Sequence, residues 1–270
     1  MSEIDRSEGR RLFGIDPAAY ELGRPGYPER VYEVLRQRCG LTPGTRVLEI
    51  GPGTGKASLR LAELGARPLV AVEPDEVLAA HLSAVARAKG LPIEVQVTPF
   101  EDAELQEAWF DLAVAASSFH WVDQDLGLAK VARSLRPGSW WAMWWNLHGV
   151  PDDPAPFHTA TRELLSHLSA SPSAGAEGRP RFALDIGSRA AGLEAAGLER
   201  VQHEVVRWTV RWDTAGIRAL YSTFSPILSL EATEREQLLA GIANVAEEQF
   251  DGEVEITILT SIYTARLPSG

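Results

Sequence analysis

The stretch Val47-Leu48-Glu49-Ile50-Gly51-Pro52-Gly53-Thr54-Gly55 decides the fold of this 270-residue chain. Its first four residues predict a short buried strand. Pro52 cannot extend that strand, and the surrounding glycines let the backbone turn sharply and approach a ligand closely. Residues 56–64 then predict a helix whose N-terminal amide groups face the turn. The stretch therefore indicates a strand, a turn and a helix in immediate succession.

The next apolar run ends at Glu73, which lies 22 positions after Gly51. At this spacing a doubly wound α/β sheet places the acid that accepts hydrogen bonds from ribose hydroxyl groups. Taken alone, the glycine-rich sequence could form a tight turn that binds no ligand. The turn, the helix and the spaced acid together predict a ribose-containing ligand.

Three classes of ligand use a turn of this kind, and the residues distinguish them. A phosphate-binding Walker loop requires glycine at position 50 and serine or threonine at position 57, where this chain has Ile50 and Ala57. The dinucleotide fingerprint requires its third glycine at the position of Lys56. The remaining pattern, residues 49–55, resembles the first motif of the class I S-adenosylmethionine-dependent methyltransferases.

Composition favours a soluble enzyme. The formal net charge is −11 and no block of lysine and arginine stands out, so we expect neither a nucleic-acid partner nor binding to an anionic membrane. Residues 1–11 lack the apolar core of a signal peptide, and no apolar run is long enough to span a membrane. Cys39 is the only cysteine and cannot form an internal disulfide. We expect a cytoplasmic protein.

Strands and helices alternate along the sequence, which predicts a parallel sheet covered by helices on both faces. The run Trp140-Trp141-Ala142-Met143-Trp144-Trp145 is apolar on both faces, as expected for a central strand. Strands are predicted at residues 46–50, 68–72, 93–97, 112–116, 139–146, 199–212 and 254–263. Helices are predicted at residues 75–89, 124–135, 157–168, 188–196, 214–221 and 233–249.

The pattern divides the chain into four segments. Residues 1–40 are expected to form an N-terminal helical lid, and residues 41–149 the cofactor-binding half of a Rossmann-like domain. Residues 150–181 are rich in Pro, Ser, Ala and Gly, which predicts a lid insertion. Residues 182–270 are expected to complete the sheet.

Further motifs extend the resemblance to the methyltransferase family over most of the chain. Residues 100–102 follow the third strand, residues 110–123 resemble the family's fourth strand with its exit loop, and residues 135–139 resemble the turn before strand five. Tyr20 with residues 24–28, and the triplet at 119–121, resemble a bacterial small-molecule branch that includes trans-aconitate-type methyltransferases. The resemblance implies an α/β, doubly wound, Rossmann-like sheet of seven strands with the last strand antiparallel, plus helical lid segments.

The resemblance also implies S-adenosylmethionine as the cofactor and a set of residues that binds it. Backbone amides of the glycine turn are expected to bind the methionine carboxylate, and Glu49 its ammonium group. Glu73 is expected to bind the ribose, Phe100 to flank the adenine, and Glu101 or Asp102 to accept a hydrogen bond from the adenine amino group. The expected cofactor-binding residues are Tyr20, Arg24, Glu49, Gly51, Gly53, Gly55, Glu73, Pro74, Phe100, Glu101, Ser117 and Ser118.

Two histidines are candidate catalytic residues. His120 follows the fourth strand, where an imidazole could deprotonate a hydroxyl group, or could simply order the exit loop. His148, just past strand five, is a second candidate base. Asp123 and Asp125 are close to His120 in sequence, but no further ligand pattern for Mg²⁺ or Zn²⁺ is present, so no metal is expected.

The sequence therefore predicts an S-adenosylmethionine-dependent methyltransferase that acts on a small organic molecule, mainly by aligning the nucleophile with the sulfonium. Two alternatives remain open: an enzyme of this fold that catalyses another step, and a non-catalytic cofactor-binding regulator. The acceptor, the methylated element and the oligomeric state are not indicated.

Overall fold

The computed structural model describes residues 4–5, 9–10, 12–151, 153–174 and 179–269. Seven strands form one sheet. The strands are β1 (Val47–Ile50), β2 (Leu69–Glu73), β3 (Ile93–Val97), β4 (Phe110–Ala116), β5 (Leu135–His148), β6 (Glu199–Asp213) and β7 (Glu253–Arg266). Their order across the sheet is β3-β2-β1-β4-β5-β7-β6.

Helices alternate with the strands as predicted. The helices are α1 (Pro17–Gly23), α2 (Glu29–Gln37), α3 (Lys56–Glu63), α4 (Glu76–Ala88), α5 (Gln124–Ser134), α6 (Pro156–Ala160), α7 (Arg162–Leu165), α8 (Ile186–Ala195), α9 (Thr214–Ser222), α10 (Ser225–Leu228) and α11 (Ala232–Phe250). No helix in the described ranges is long and apolar enough to cross a membrane.

Strand direction confirms the predicted topology. The five strands from β3 to β5 pair in parallel with their neighbours, whereas β7 runs antiparallel to both β5 and β6. β7 is the last strand in the chain, so the sheet is doubly wound with its final strand reversed. The carboxyl ends of the parallel strands consequently meet at one edge, which is where such sheets bind ligands.

The central strands are buried on both faces because helices cover the sheet above and below. Every residue of β1 and β2 is buried. The tryptophan-rich part of β5 divides between the two layers: Trp141 and Trp145 pack in the cluster that contains Leu48, while Trp144 packs in the cluster that contains Val47. The prediction of a central strand at this run is confirmed.

Several predicted boundaries differ from the structure by two or more residues, most clearly at the start of β5 and in the helix predicted at residues 157–168. β5 begins at Leu135 instead of residue 139, because Leu135 pairs with Phe110 before an irregularity after which Leu112 pairs with Trp140. The helix predicted at residues 157–168 is two short helices, α6 and α7, separated at Thr161. The Thr161 hydroxyl donates to the carbonyl oxygen of Phe157 at 2.8 Å, a local bond that competes with regular helix geometry.

Helix α1 is fixed to the C-terminal half of the chain at its last residue, Gly23. A Cβ atom at Gly23 would overlap the backbone of Ala219 and Leu220 in α9. The Gly23 carbonyl also accepts a hydrogen bond of 2.9 Å from the indole nitrogen of Trp212. These contacts hold the N-terminal segment over the carboxyl edge of the sheet.

We expect Gly23→Ala to destabilise the docking of α1 on α9 by about 1–3 kcal/mol, because the added methyl group meets backbone that cannot rotate away. Gly26→Ala is the matched control, since a Cβ there meets no atom within 4 Å. Hydrogen exchange of residues 17–24 and thermal unfolding measure the effect. Equal protection in the two variants would show that the close approach of α1 and α9 is unimportant.

Candidate active site

The carboxyl edge of the sheet opens into a cavity of about 830 Å³. Its wall combines the ends of the central strands with the N-terminal segment, the lid insertion and helices α9 and α10. The predicted site residues in this wall are Tyr20, Arg24, Gly51, Gly53, Glu73, Pro74, Phe100, Ser117, Ser118, His120 and His148. Glu49, Gly55 and Glu101 lie outside the wall.

The glycine turn after β1 requires glycine for two separate reasons. Gly51, Gly53 and Gly55 have φ values of 64°, 59° and 95°, in the left-handed region that favours glycine. A Cβ atom on Gly51 would also lie 2.6 Å from the Cβ of Ser118, whose hydroxyl donates to the Ile50 carbonyl oxygen. The turn is therefore packed directly against the exit of β4.

Glu73 connects the end of β2 to the glycine turn. Its Oε2 accepts a hydrogen bond of 2.9 Å from the amide of Gly53, and its Oε1 accepts one of 3.0 Å from the amide of Asp75. Burial raises the pKa of Glu73 to about 7, although the two backbone hydrogen bonds act in the opposite direction. Each oxygen keeps lone pairs beyond these bonds, which suits a carboxylate that also accepts from ribose hydroxyl groups.

Glu49 is fully buried in β1, just before the turn. Neither carboxylate oxygen has a hydrogen-bond partner of normal geometry among the described residues. Burial raises its pKa to about 7, the nearby Ser58 hydroxyl lowers it, and the charge of Glu73 raises it. A buried carboxylate without a donor is costly, and a ligand ammonium group at the turn would satisfy it. The acids and the turn thus fit the amino acid and ribose parts of S-adenosylmethionine.

The predicted adenine residues differ in their surroundings. Phe100 is buried and lines the cavity, with the Lys130 ammonium 5.5 Å from its ring centre. Glu101 instead lies outside the cavity wall and accepts a hydrogen bond of 2.8 Å from Arg10, which lines the cavity. Phe100 is thus placed to contact a ligand directly, whereas Glu101 is engaged by the N-terminal segment.

The exit of β4 is ordered by an unpredicted contact with Tyr27. Ser117 has a left-handed φ of 57°, and its amide donates to the Trp144 carbonyl oxygen at 2.7 Å. The Tyr27 hydroxyl donates to the Ser117 hydroxyl at 3.2 Å, and burial raises the pKa of Tyr27. These bonds hold the strained serine at the cavity wall.

His120 is bonded to a tryptophan of the neighbouring strand. The indole nitrogen of Trp145 donates to Nδ1 of His120 at 3.0 Å. An indole nitrogen can only donate, so the neutral imidazole carries its proton on Nε2. His120 can accept a proton only if the bond between Trp145 and Nδ1 breaks.

His148 lies at the end of β5 in an aromatic environment. Its ring centre is 5.6 Å from that of Phe224 and 6.3 Å from that of Trp212. Nε2 is buried and has no hydrogen-bond partner among the described residues. Burial lowers the pKa of His148 well below 6.5, and the charge of Arg24 lowers it further. The imidazole is therefore neutral at physiological pH.

Two cations connect α1 to the rest of the site. The Arg24 guanidinium donates to Thr223 Oγ1 at 2.7 Å and lies 4.7 Å from the ring centre of Phe224. The Lys56 ammonium, at the position that excludes the dinucleotide fingerprint, donates to the Glu21 carboxylate at 3.1 Å. Burial lowers the pKa of Arg24, and no carboxylate forms an ion pair with it within the described chain.

Several cavity residues were not predicted as site residues. Some are neighbours of the sequence motifs described above. Others belong to the lid insertion, where the sequence shows no periodic pattern that would have identified them. The main examples are Arg10, Phe13, Tyr27, Lys56, Trp121, Trp145, His158, Arg162, Arg181 and Phe224. The described residues contain no group of three or more side chains that could hold a metal ion.

The comparison with known proteins agrees with this geometry. Residues 47–138 match the family model of the methyltransferase domain. An uncharacterised methyltransferase of Schizosaccharomyces pombe is 24% identical over 264 residues, which cover 94% of this chain and 96% of the relative. An uncharacterised methyltransferase of Mycobacterium tuberculosis is 36% identical over 135 residues, which cover 50% of this chain and only 51% of the relative.

A solved structure has the same fold along its whole length. A type II methyltransferase candidate from Anaeromyxobacter dehalogenans superposes with a TM-score of 0.62 and 23% identity, covering 91% of this chain and 99% of that chain. The trans-aconitate-type branch stays a prediction. The glycine turn, the spaced acid, the seven-stranded sheet and these matches lead to one conclusion. Residues 47–138 belong to a methyltransferase domain, and the chain has the Rossmann-like fold of solved methyltransferase structures.

Proposed function

We propose that the protein transfers a methyl group to a small organic molecule bound in the cavity beside the cofactor. The cavity itself carries this proposal, because it continues from the glycine turn past the ends of β4 and β5 into the lid insertion. The amide of Ile4 donates to the Ala170 carbonyl oxygen at 3.2 Å, so the N-terminal segment contacts the insertion directly. A cavity that is partly covered in this way suits a small acceptor.

The cofactor-binding roles rest on the buried acids and on the glycine turn. The turn amides would bind the methionine carboxylate, and Tyr20 and Arg24, which line the same cavity, would also contact the cofactor. Glu49 would take the ammonium group and Glu73 the ribose, while Phe100 and Pro74 would flank the nucleoside. Glu101 would accept a hydrogen bond from the adenine amino group while it keeps its existing hydrogen bond from Arg10.

S-adenosylmethionine, when bound, supplies the methyl group on a sulfonium. The chain's own task is then to orient the acceptor and to exclude water, since methyl transfer is an in-line displacement. Ser117 and Ser118 at the β4 exit would contact the bound cofactor. Where the acceptor must lose a proton, His148 is the better base, because its Nε2 has no partner in the described chain and its ring is neutral.

Methyl-labelled S-adenosylmethionine tests the proposed function. The protein is incubated with the label and with the small-molecule and macromolecular fractions of a cell extract, and Glu73→Ala at limiting cofactor is the control. Label in a low-mass product is the expected result. Label in macromolecules would contradict a small acceptor. A changed low-mass compound without label would support another reaction of this fold, and no change of any kind would support a regulator.

Cofactor affinity is expected to fall as the pH falls through 7. The pKa values of Glu73 and Glu49 are raised to about 7, and the ionised forms are the ones that bind the ribose and the ammonium group. Linkage then predicts affinity about tenfold lower at pH 6 than at pH 8 for each carboxyl group that must ionise. Calorimetric titration with S-adenosylmethionine across this range measures the effect.

Substitution of Glu73 separates its contribution to cofactor affinity from that of Glu49. Glu73→Ala should weaken binding by about 1.5–3 kcal/mol at pH 8, the range for charged hydrogen bonds, and should leave only the part of the pH dependence that Glu49 contributes. Glu76→Ala, an exposed acid in the next helix, is the control and should change neither. Unchanged affinity in Glu73→Ala would remove the ribose role from this residue.

The two histidines can be distinguished by matched variants. His148→Phe keeps an aromatic ring against Phe224 but removes the base, so turnover should fall by about 10²–10⁴-fold for an acceptor that loses a proton. His120→Asn should leave turnover within about threefold, because Nδ1 of His120 already accepts from Trp145. Single-turnover kinetics at saturating cofactor measure both. The opposite pattern would assign the base role to His120, and full activity in both variants would indicate transfer by alignment alone.

A further inference from the structure

The cavity extends well beyond the cofactor-binding end. Glu73 ends β2 and His148 ends β5, and these strands are three strand spacings apart, which corresponds to about 14 Å across the sheet. One end of the cavity is therefore distant from the cofactor-binding end. We define this far end by His148, His158, Arg162, Arg181 and the neighbouring side chains of the lid insertion and α10. An acceptor molecule would occupy it.

Charge differs sharply between the two ends. Glu73 is the only carboxylate in the described cavity wall, and it lies at the cofactor end. Arg10 and Lys56 are cations in the wall that form ion pairs with acids. Three further cations in the wall form no ion pair with a described residue: Arg162 and Arg181 at the far end, and Arg24, which lies over the ring of Phe224 between the two ends. Arg162 and Arg181 are exposed, so their positive charges remain available to attract an anion at the mouth of the far end.

The side chains at the far end also affect one another. Burial lowers the pKa of Arg181, and burial together with the charge of Arg181 lowers the pKa of His158. Burial first, and then the charges of Arg24, His158 and Arg181, lower the pKa of His148. Burial is the largest cause of each shift, and the contributions of Arg181 to the pKa values of His158 and His148 show that its charge lies close to both imidazoles.

Arg181 and His158 are built on fixed backbone. The carbonyl oxygen of Ala183, two residues after Arg181, accepts from the hydroxyl groups of Ser261 at 2.7 Å and Tyr263 at 2.9 Å, both in β7. The His158 ring lies against Gly149, where an added Cβ would be 2.6 Å from its Cε1 atom. The backbone near Arg181 and the ring of His158 are therefore both held by contacts with the sheet or with the chain that leaves it.

The rest of the far end is apolar. Leu165 and Leu168 of the lid insertion and Phe224 and Ile227 of the α10 region line the same space. The apolar side chains would contact the hydrocarbon body of a ligand, and an arginine guanidinium group would bind a planar or tetrahedral anionic group on it.

We infer that the acceptor is a small amphiphilic anion whose carboxylate or phosphate binds Arg181, with His158 beside it, at the far end of the cavity. This inference rests on the proposed function, because it describes the acceptor of that reaction. Arg181 would be a specificity-determining residue, since a neutral analogue leaves its guanidinium without a partner.

The test uses the full-length protein saturated with S-adenosylhomocysteine and four probes: octanoate, octyl phosphate, octanol and octylamine. Calorimetry should show that octanoate or octyl phosphate binds at least about tenfold more tightly than octanol, the factor expected of one charged hydrogen-bonded pair. The tighter of the two anions identifies the anionic group. Octylamine should bind no better than octanol.

Variants then locate the site. Arg181→Gln should lose the preference for anions while it still binds S-adenosylhomocysteine, and Arg181→Lys should recover part of the preference through its charge. Arg179→Gln is the matched control, because Arg179 lies two residues away but outside the cavity wall. It should retain the preference.

Several results would overturn the inference. These are equal binding of octanol and the anions, no binding of any probe, an unchanged preference in Arg181→Gln, or an equal loss in Arg179→Gln. A wild-type protein that fails to bind S-adenosylhomocysteine would instead contradict the cofactor site and the proposed function, so the two failures can be told apart.

Discussion

Two carboxyl groups buried together at the carboxyl edge of the sheet are the constraint on which the cofactor-binding half depends. Glu49 has no donor within the described chain, and Glu73 has only two backbone amides. A protein interior rarely accepts such groups, because ionising them without full compensation costs free energy. The glycine turn after β1 and the tight β4 exit therefore frame two carboxyl groups whose missing partners a bound ligand would supply.

Much of this site could be predicted because its determinants are local. The turn at residues 51–55 needs left-handed glycines, and the position of Glu73 follows from strand and helix lengths. The apolar run at residues 140–145 could only be satisfied between two helical layers, and the structure confirms it as a central strand. Local pattern was less reliable where a single side chain alters the backbone, as Thr161 does between α6 and α7.

The acceptor end could not be predicted in the same way, because its residues are brought together by long-range packing. His158 is placed by contact with Gly149, and the chain after Arg181 is held by hydroxyl groups of β7, some eighty residues later in the sequence. No periodicity within residues 150–181 encodes these contacts. The same holds for α1, whose position depends on close approach to α9.

The two ends of the cavity have opposite charge, and this has a consequence for the reaction. The cofactor end is acidic and suits a ligand that carries ammonium and sulfonium charges, whereas the far end is basic although the whole chain has a net charge of −11. An acceptor anion would be drawn to the far end and repelled by the acids around the turn, which fixes its orientation before the cofactor's methyl group is reached. Orientation is the main contribution that a protein can make to an in-line displacement. Charge separation along one cavity would thus perform part of the alignment that specific contacts to the reacting atoms would otherwise have to provide.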